Sequence, residues 1–148
     1  DGGINCLFVH NGRSENLEII RNVVVSPKAL FITYSNFHGV VKSVDGGKTL
    51  EKISFPILDQ TKVDNYIKKQ EGLSISMIYN TLDPARMYVY NNLGIFQSID
   101  NGDSWKVIWQ PTDPKEVPKS SSLFSLDYQN NILYYGTTGG LKKLSLFR

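Results

Sequence analysis

Short, predominantly apolar segments recur along this 148-residue chain and are separated by polar turn residues. Segments such as 29–34 ("ALFITY") and 86–90 ("RMYVY") are rich in β-branched and aromatic residues, and Asn or Gly follows each within a few positions. Such segments, separated by turn residues, are typical of antiparallel strands joined in a meander. The pattern therefore predicts an all-β fold.

Two groups of these segments repeat each other at a constant offset of 55 residues. Each group contains a strand, a short turn ending in glycine, a second strand, a polar turn and a third strand. The matched positions are Gly39 with Gly94, Ser43 with Ser98, Asp45 with Asp100, and Gly47 with Gly102. Recurrence at a fixed spacing indicates a repeat architecture, in which each copy is one supersecondary unit.

The polar turn reads Ser-x-Asp-x-Gly-x-Ser/Thr followed by a large apolar residue, at 43–50 and at 98–105. In such a turn the aspartate accepts hydrogen bonds from backbone N–H groups, and the glycine adopts a positive φ at little steric cost. The hydroxyls close the turn, and the apolar residue packs on a neighbouring sheet. These roles are structural and leave neither carboxylate free for catalysis. The residues concerned are Ser43, Asp45, Gly47, Thr49, Ser98, Asp100, Gly102, Ser104 and Trp105.

This motif resembles the Asp-box, or BNR, repeat. The chain is similar to Asp-box β-propellers of the sialidase, sortilin-like, photosystem II assembly-factor and xyloglucanase types. The resemblance implies four-stranded antiparallel blades, with the motif as a structural turn away from any active site. The chain departs from the pattern at three places. His10 stands at the position of Asp100, Leu50 stands at the position of Trp105, and the last repeat lacks the motif.

On this interpretation the chain is a single partial propeller of about three blades. The predicted units are a half blade at 2–22, blades at 22–56 and 74–110, and an incomplete blade at 123–148, with insertions at 59–72 and 111–122. Helical spacing predicts a short helix over 61–71 in the first insertion, and the prolines and serines of the second predict a loop. Propellers have about four to eight blades. We therefore expect the remaining blades on another chain, on a copy of this one, or on a missing segment of a parent sequence.

Composition and charge narrow the possible partners. Sixteen basic and 14 acidic residues give a net charge of +2, which disfavours nucleic acid as a partner. No apolar segment is long enough to span a membrane. Cys6 is the only cysteine, and His10 and His38 are far apart, so no zinc spacing exists. We expect no metal and no cofactor.

The sequence leaves three functions open. The preferred one is a non-catalytic interaction or scaffold module that binds a protein or peptide through loops or the central channel. The residues expected to contact that partner are Trp109, Tyr66, Lys68 and Lys69. The alternatives are part of a secreted glycoside hydrolase of sialidase or xyloglucanase type, and a structural subunit of a polymeric assembly. We identify no catalytic residues, and the resemblance implies an extracytoplasmic location.

Overall fold

The computed structural model describes residues 20–34, 39–56, 76–112, 116 and 123–146. Within these ranges the chain forms eleven β-strands. The strands are β1 Ile20–Val25, β2 Leu30–Tyr34, β3 Val40–Ser43, β4 Glu51–Ile53, β5 Ser76–Asn80, β6 Asp83–Asn91, β7 Gly94–Ser98, β8 Lys106–Trp109, β9 Phe124–Asp127, β10 Ile132–Thr137 and β11 Gly140–Ser145.

The strands form three antiparallel sheets, and within each sheet consecutive strands of the chain pair with each other. The first sheet has the order β1-β2-β3-β4, the second β5-β6-β7-β8, and the third β11-β10-β9. The predicted all-β class is confirmed, with three antiparallel sheets of the kind that make propeller blades. Short meanders of this kind form because β-rich segments are joined by tight turns.

The first two sheets share the same register. Val23 of β1 pairs with Ile32, which pairs with Val41 of β3. Met77 of β5 pairs with Val89, which pairs with Phe96 of β7. The three residues of the first sheet therefore occupy positions equivalent to Met77, Val89 and Phe96 of the second.

The hydrophobic core lies in two layers, one on each face of the second sheet. The layer against the first sheet is made of Val24, Phe31, Val40, Ile53, Met77, Met87, Val89 and Phe96. The layer against the third sheet is made of Tyr88, Tyr90, Ile95, Leu126, Leu133 and Tyr135. Burying both faces explains why β7, Gly94–Ser98, is buried along its whole length.

The first strands of the three sheets lie next to one another. β5 contacts β1 on one side and β9 on the other. Asn22 Nδ2 donates a hydrogen bond to the carbonyl oxygen of Met77 at 3.1 Å, and the Tyr128 hydroxyl donates to the carbonyl of Tyr79 at 3.3 Å. Sheets stacked face to face with their first strands together have the arrangement of blades around an axis.

Some predicted segments fall outside the described residues. These are residues 2–19 of the half blade and the insertion 59–72 with its helix, so these predictions stay predictions. The insertion 111–122 is described only at 111, 112 and 116. β1 begins at Ile20, before the start of the blade predicted at 22–56, because Ile20 pairs with Tyr34 across a bulge. No helix within the described ranges is long and apolar enough to cross a membrane.

Candidate functional site

The first polar turn is held by side-chain hydrogen bonds between β3 and β4. The Ser43 hydroxyl donates to Asp45 Oδ1 at 2.8 Å and accepts from the backbone N–H of Gly47 at 2.8 Å. Asp45 accepts from the Thr49 N–H at 2.9 Å and from the Thr49 hydroxyl at 2.7 Å. Both oxygens of the carboxylate are thus occupied within the turn.

The second turn, between β7 and β8, repeats these contacts. The Ser98 hydroxyl donates to Asp100 Oδ1 at 2.7 Å and accepts from the N–H of Gly102 at 2.8 Å. Asp100 accepts from the Ser104 N–H at 2.9 Å, and the Ser104 hydroxyl donates to its other oxygen. The Asp103 N–H adds a bond of 3.1 Å to Oδ1.

These hydrogen bonds favour the ionised form of both carboxyl groups. Bonds from Thr49, first from its N–H and then from its hydroxyl, lower the pKa of Asp45 to about 2. The hydroxyl of Ser104 is the largest cause that lowers the pKa of Asp100 to about 2. Each carboxylate is therefore a fixed, charged acceptor at neutral pH.

The second turn also packs against the first sheet. Gly102 has φ +80°, and a Cβ placed there would lie 2.8 Å from the ring of Phe31. The Trp105 ring lies edge-on to Phe55 at 5.2 Å between centroids, and its Nε1 donates to the carbonyl of Gly102 at 3.2 Å. The turn thus connects two sheets as well as two strands.

An ion pair crosses the same interface. Lys42 Nζ of β3 contacts Asp103 Oδ1 of the second turn, and the lysine chain lies over the Phe31 ring. A groove of about 250 Å³ opens beside them, with Glu51 and Lys52 of β4 on its wall. Sequence reasoning missed this pair because its members belong to different repeats. Only the alignment of adjacent blades brings position 42 near position 103.

Trp109 lies at the end of β8, where the second and third sheets meet. Its ring is half-buried, with its centroid 4.9 Å from that of Tyr135 and 6.5 Å from that of Tyr90. Burial, with a smaller contribution from Glu116, raises the pKa of Tyr135. Packing thus accounts for one side of the ring, and partner contact by Trp109 stays a prediction.

The remaining predicted contact residues, Tyr66, Lys68 and Lys69, lie outside the described residues. Across the part of the chain that the structure describes, no three His, Cys, Asp or Glu side chains come together as metal ligands would.

Comparison with known proteins supports the fold. The chain is similar in structure to the GH74 enzyme of Niastella koreensis, with a TM-score of 0.57 and 18% sequence identity. The similarity covers 84% of this chain but only 19% of the enzyme, so the chain spans about a fifth of that protein's length. No protein-family model and no curated protein matches the chain. At this identity the likeness establishes a β-propeller fold alone.

Proposed function

We propose that this chain forms Asp-box blades of a β-propeller and acts as a non-catalytic binding or scaffold module. The assignment of the Asp-box rests on the two turns, which share sequence, hydrogen bonds and position between third and fourth strands. Each turn lies where a blade joins its two outer strands, and the second turn also reaches the neighbouring sheet. This placement suits a motif that stabilises blades.

The non-catalytic part of the proposal rests on one observation. The carboxylates of Asp45 and Asp100 already accept hydrogen bonds from residues of their own turns. Glycoside hydrolysis by two carboxylates needs one of them protonated near neutral pH, which requires a raised pKa. Asp45 and Asp100 have the opposite shift. Asp127 does too, because the Asn130 side chain and backbone N–H groups donate to it.

The proposed partner is a protein or peptide, bound in the region where β8 leads into the insertion 111–122. Trp109 gives this region an aromatic ring, and Thr112 fixes Glu116 through a backbone bond of 3.0 Å. Insertions in repeat proteins concentrate on binding faces. An extracytoplasmic location belongs to this proposal and rests on the resemblance to Asp-box proteins.

A second candidate is that the blades belong to a glycoside hydrolase of sialidase or xyloglucanase type. It is favoured by the structural similarity to the GH74 enzyme. In that case the catalytic carboxylates belong to a cleft that the completed propeller forms.

The proposal is tested by measuring binding and hydrolysis with the purified chain. Hydrolysis is assayed on xyloglucan oligosaccharides and sialyllactose by mass spectrometry, and binding on peptides selected against the immobilised chain from a random library. We expect no hydrolysis, and peptides whose affinity falls at least tenfold in Trp109→Ala. Lys106→Ala, at an exposed position of the same strand, is the matched control and should bind normally.

Thermal unfolding of the Trp109 variant shows whether its sheets remain folded, and Trp109→Phe preserves the ring if they do not. Selected peptides that bind all variants equally would place the binding surface elsewhere. If hydrolytic activity co-purifies with the chain through a second purification step, the glycoside hydrolase candidate replaces the proposal.

A further inference from the structure

The second turn contains an Asn-Gly pair, Asn101-Gly102, which directly follows Asp100. The same pair occurs at one other place in the sequence, Asn11-Gly12. An asparagine followed by glycine is especially prone to spontaneous deamidation in a flexible chain, because glycine has no side chain to hinder attack by its own nitrogen. The geometry around Asn101 therefore decides whether this reaction takes place in the folded chain.

Deamidation forms one bond and breaks another at the side chain of Asn101. The backbone nitrogen of Gly102 attacks Cγ of Asn101, and the bond between Cγ and Nδ2 breaks. The amide nitrogen leaves as ammonia and takes the proton that the Gly102 N–H gives up. Water then opens the resulting succinimide ring at one of its two carbonyl carbons, which yields aspartate or isoaspartate.

The backbone of the folded turn holds the reacting atoms apart. Asn101 has φ +61°, in the left-handed region, where ψ is about +30° to +60°. At such values the Gly102 nitrogen lies nearly opposite the Asn101 Cβ about the Cα–C bond, whereas ring closure needs both on the same side. The Asn101 N–H donates to the carbonyl of Ala85 in β6 at 3.0 Å, which helps to fix this conformation.

Ser98 also opposes the reaction, because it binds the proton that must leave. The Gly102 N–H donates to the Ser98 hydroxyl oxygen at 2.8 Å. That hydroxyl donates its own proton to Asp100 Oδ1 at 2.7 Å, so its oxygen stays oriented as an acceptor. The carboxylate of Asp100 is a weak base, since the pKa of this group is about 2. The nitrogen of Gly102 is therefore held in its protonated, unreactive form.

Packing against the first sheet keeps the turn closed. Gly102 is buried, and a Cβ placed on it would lie 2.8 Å from the Phe31 ring. The Trp105 Nε1 donates to the carbonyl of Gly102 at 3.2 Å. Turning the Gly102 nitrogen towards the side chain of Asn101 breaks these contacts. The reaction therefore requires the second turn to move away from the first sheet.

We propose that Asn101 is a latent deamidation site, which the closed second turn keeps unreactive and which reacts when this turn opens away from the first sheet. Its conversion marks chains in which the contact between the two sheets has been lost. The proposal concerns a chemical modification of the fold and does not depend on the binding function proposed above.

Both products oppose closing of the turn again. Isoaspartate directs the main chain through the side-chain carbon and lengthens the backbone before Gly102 by one carbon atom. The closed turn has no room for an added atom at Gly102, as the contact with Phe31 shows. Aspartate keeps the backbone length, but it places a third carboxylate between those of Asp100 and Asp103.

The test follows deamidation of the 148-residue chain by peptide mass spectrometry, in mildly alkaline buffer with and without denaturing urea. Asn11 in urea gives the reference rate of an unprotected Asn-Gly pair, and Asn101 in urea should react at a similar rate. Without urea, we expect Asn101 to react more than about tenfold more slowly than in urea, since only the open turn reacts. Equal rates at Asn101 in the two conditions overturn the proposal. So does a rate at Asn101 in urea far below that of Asn11, because the protection would then lie in the local sequence.

Ser98→Ala tests the hydroxyl in the absence of urea. It should accelerate deamidation of Asn101 about three- to tenfold, as expected for the loss of one hydrogen bond. Ser43→Ala removes the equivalent serine of the first turn and is the matched control, which should leave the rate at Asn101 unchanged. Equal acceleration in both variants overturns the proposal, because protection would then come from the stability of the whole chain. An unchanged rate in Ser98→Ala, with circular dichroism showing folded sheets, overturns it as well. If Ser98→Ala does not fold, the comparison with urea still decides.

The products themselves are tested in a chain that carries Asn11→Gln, so that Asn101-Gly102 is its one Asn-Gly pair. Chains converted in urea and returned to buffer should unfold at a lower urea midpoint than unconverted chains. Equal midpoints overturn the proposal, because a modified turn that closes normally does not mark a lost contact.

Discussion

The turns at 43–50 and 98–105 share one hydrogen-bonding network but differ in what surrounds them. In both, a serine hydroxyl bridges the aspartate and a glycine N–H, with distances that agree within 0.1 Å. In both, the pKa of the aspartate falls to about 2. The network is thus a property of the eight residues themselves.

The packing of the two turns is different. Gly102 lies against Phe31, and Trp105 lies against Phe55, so the second turn is part of the contact between two sheets. In the first turn the residue at the position of Trp105 is Leu50, which is half-buried, and Lys48 is exposed. Among the residues that the structure describes, the same motif therefore closes a hairpin in the first blade, and in the second blade it also joins neighbouring blades.

The largest effect that separates the two turns is expected from glycine replacement. Gly102→Ala places a methyl group 2.8 Å from a ring carbon of Phe31 at a φ of +80°, so backbone strain and overpacking add. We expect a loss of about 2–5 kcal/mol in the free energy of unfolding. Gly46→Ala, at the position of the first turn equivalent to Asn101, is the control for backbone strain without overpacking, since Gly46 has φ +74° and no atom within 4 Å of the added Cβ. It should cost about 1–2 kcal/mol.

Urea denaturation followed by circular dichroism measures both changes. Gly46→Asn sharpens the result, because the equivalent residue of the second turn is Asn101, already at φ +61°. Gly46→Asn should therefore lower the free energy of unfolding by less than Gly46→Ala does. Equal losses for Gly102→Ala and Gly46→Ala would show that the contact with Phe31 adds nothing.

A smaller effect, equal in the two turns, is expected from pH. The pKa of Asp45 and of Asp100 is lower in the folded chain than the ordinary value of 3.8. The ionised forms therefore stabilise the fold fully above about pH 4, and this contribution is lost as the pH falls towards 2. The urea midpoint of the wild type should decrease over this interval.

Asp45→Asn and Asp100→Asn should each lower the midpoint at pH 6 and make its decline below pH 4 shallower, to a similar extent. Some decline should remain in the double variant, because the pKa of Asp127 is lowered as well. If only one of the two variants makes the decline of the urea midpoint below pH 4 shallower, the two hydrogen-bond networks are not equivalent in solution, despite their matching distances.

The sequence predicted what depends on local chemistry. Apolar segments rich in β-branched and aromatic residues, with turns of Gly, Asn and Asp between them, were sufficient to predict the all-β class, since strands and tight turns are determined by nearby residues. The contacts between sheets were not predictable in the same way. Lys42 and Asp103 are 61 residues apart and belong to different repeats. Trp109 shows the same limit, because its neighbour Tyr135 is in another sheet.

The smallest expected effect concerns the ion pair between the blades. The Lys42 side chain is 11% exposed and that of Asp103 is 72% exposed, so solvent screens the carboxylate and the pair contributes modestly. Asp103→Asn should cost about 0.2–1 kcal/mol in unfolding free energy, and the loss should shrink in 1 M NaCl. Lys48→Gln, at the equivalent position of the first turn, should change stability by less than about 0.5 kcal/mol. If Lys48→Gln costs as much as Asp103→Asn, the first turn already has a charged neighbour in the chain alone. The contrast between the two turns would then lie in their apolar residues, Leu50 and Trp105, and not in their charges.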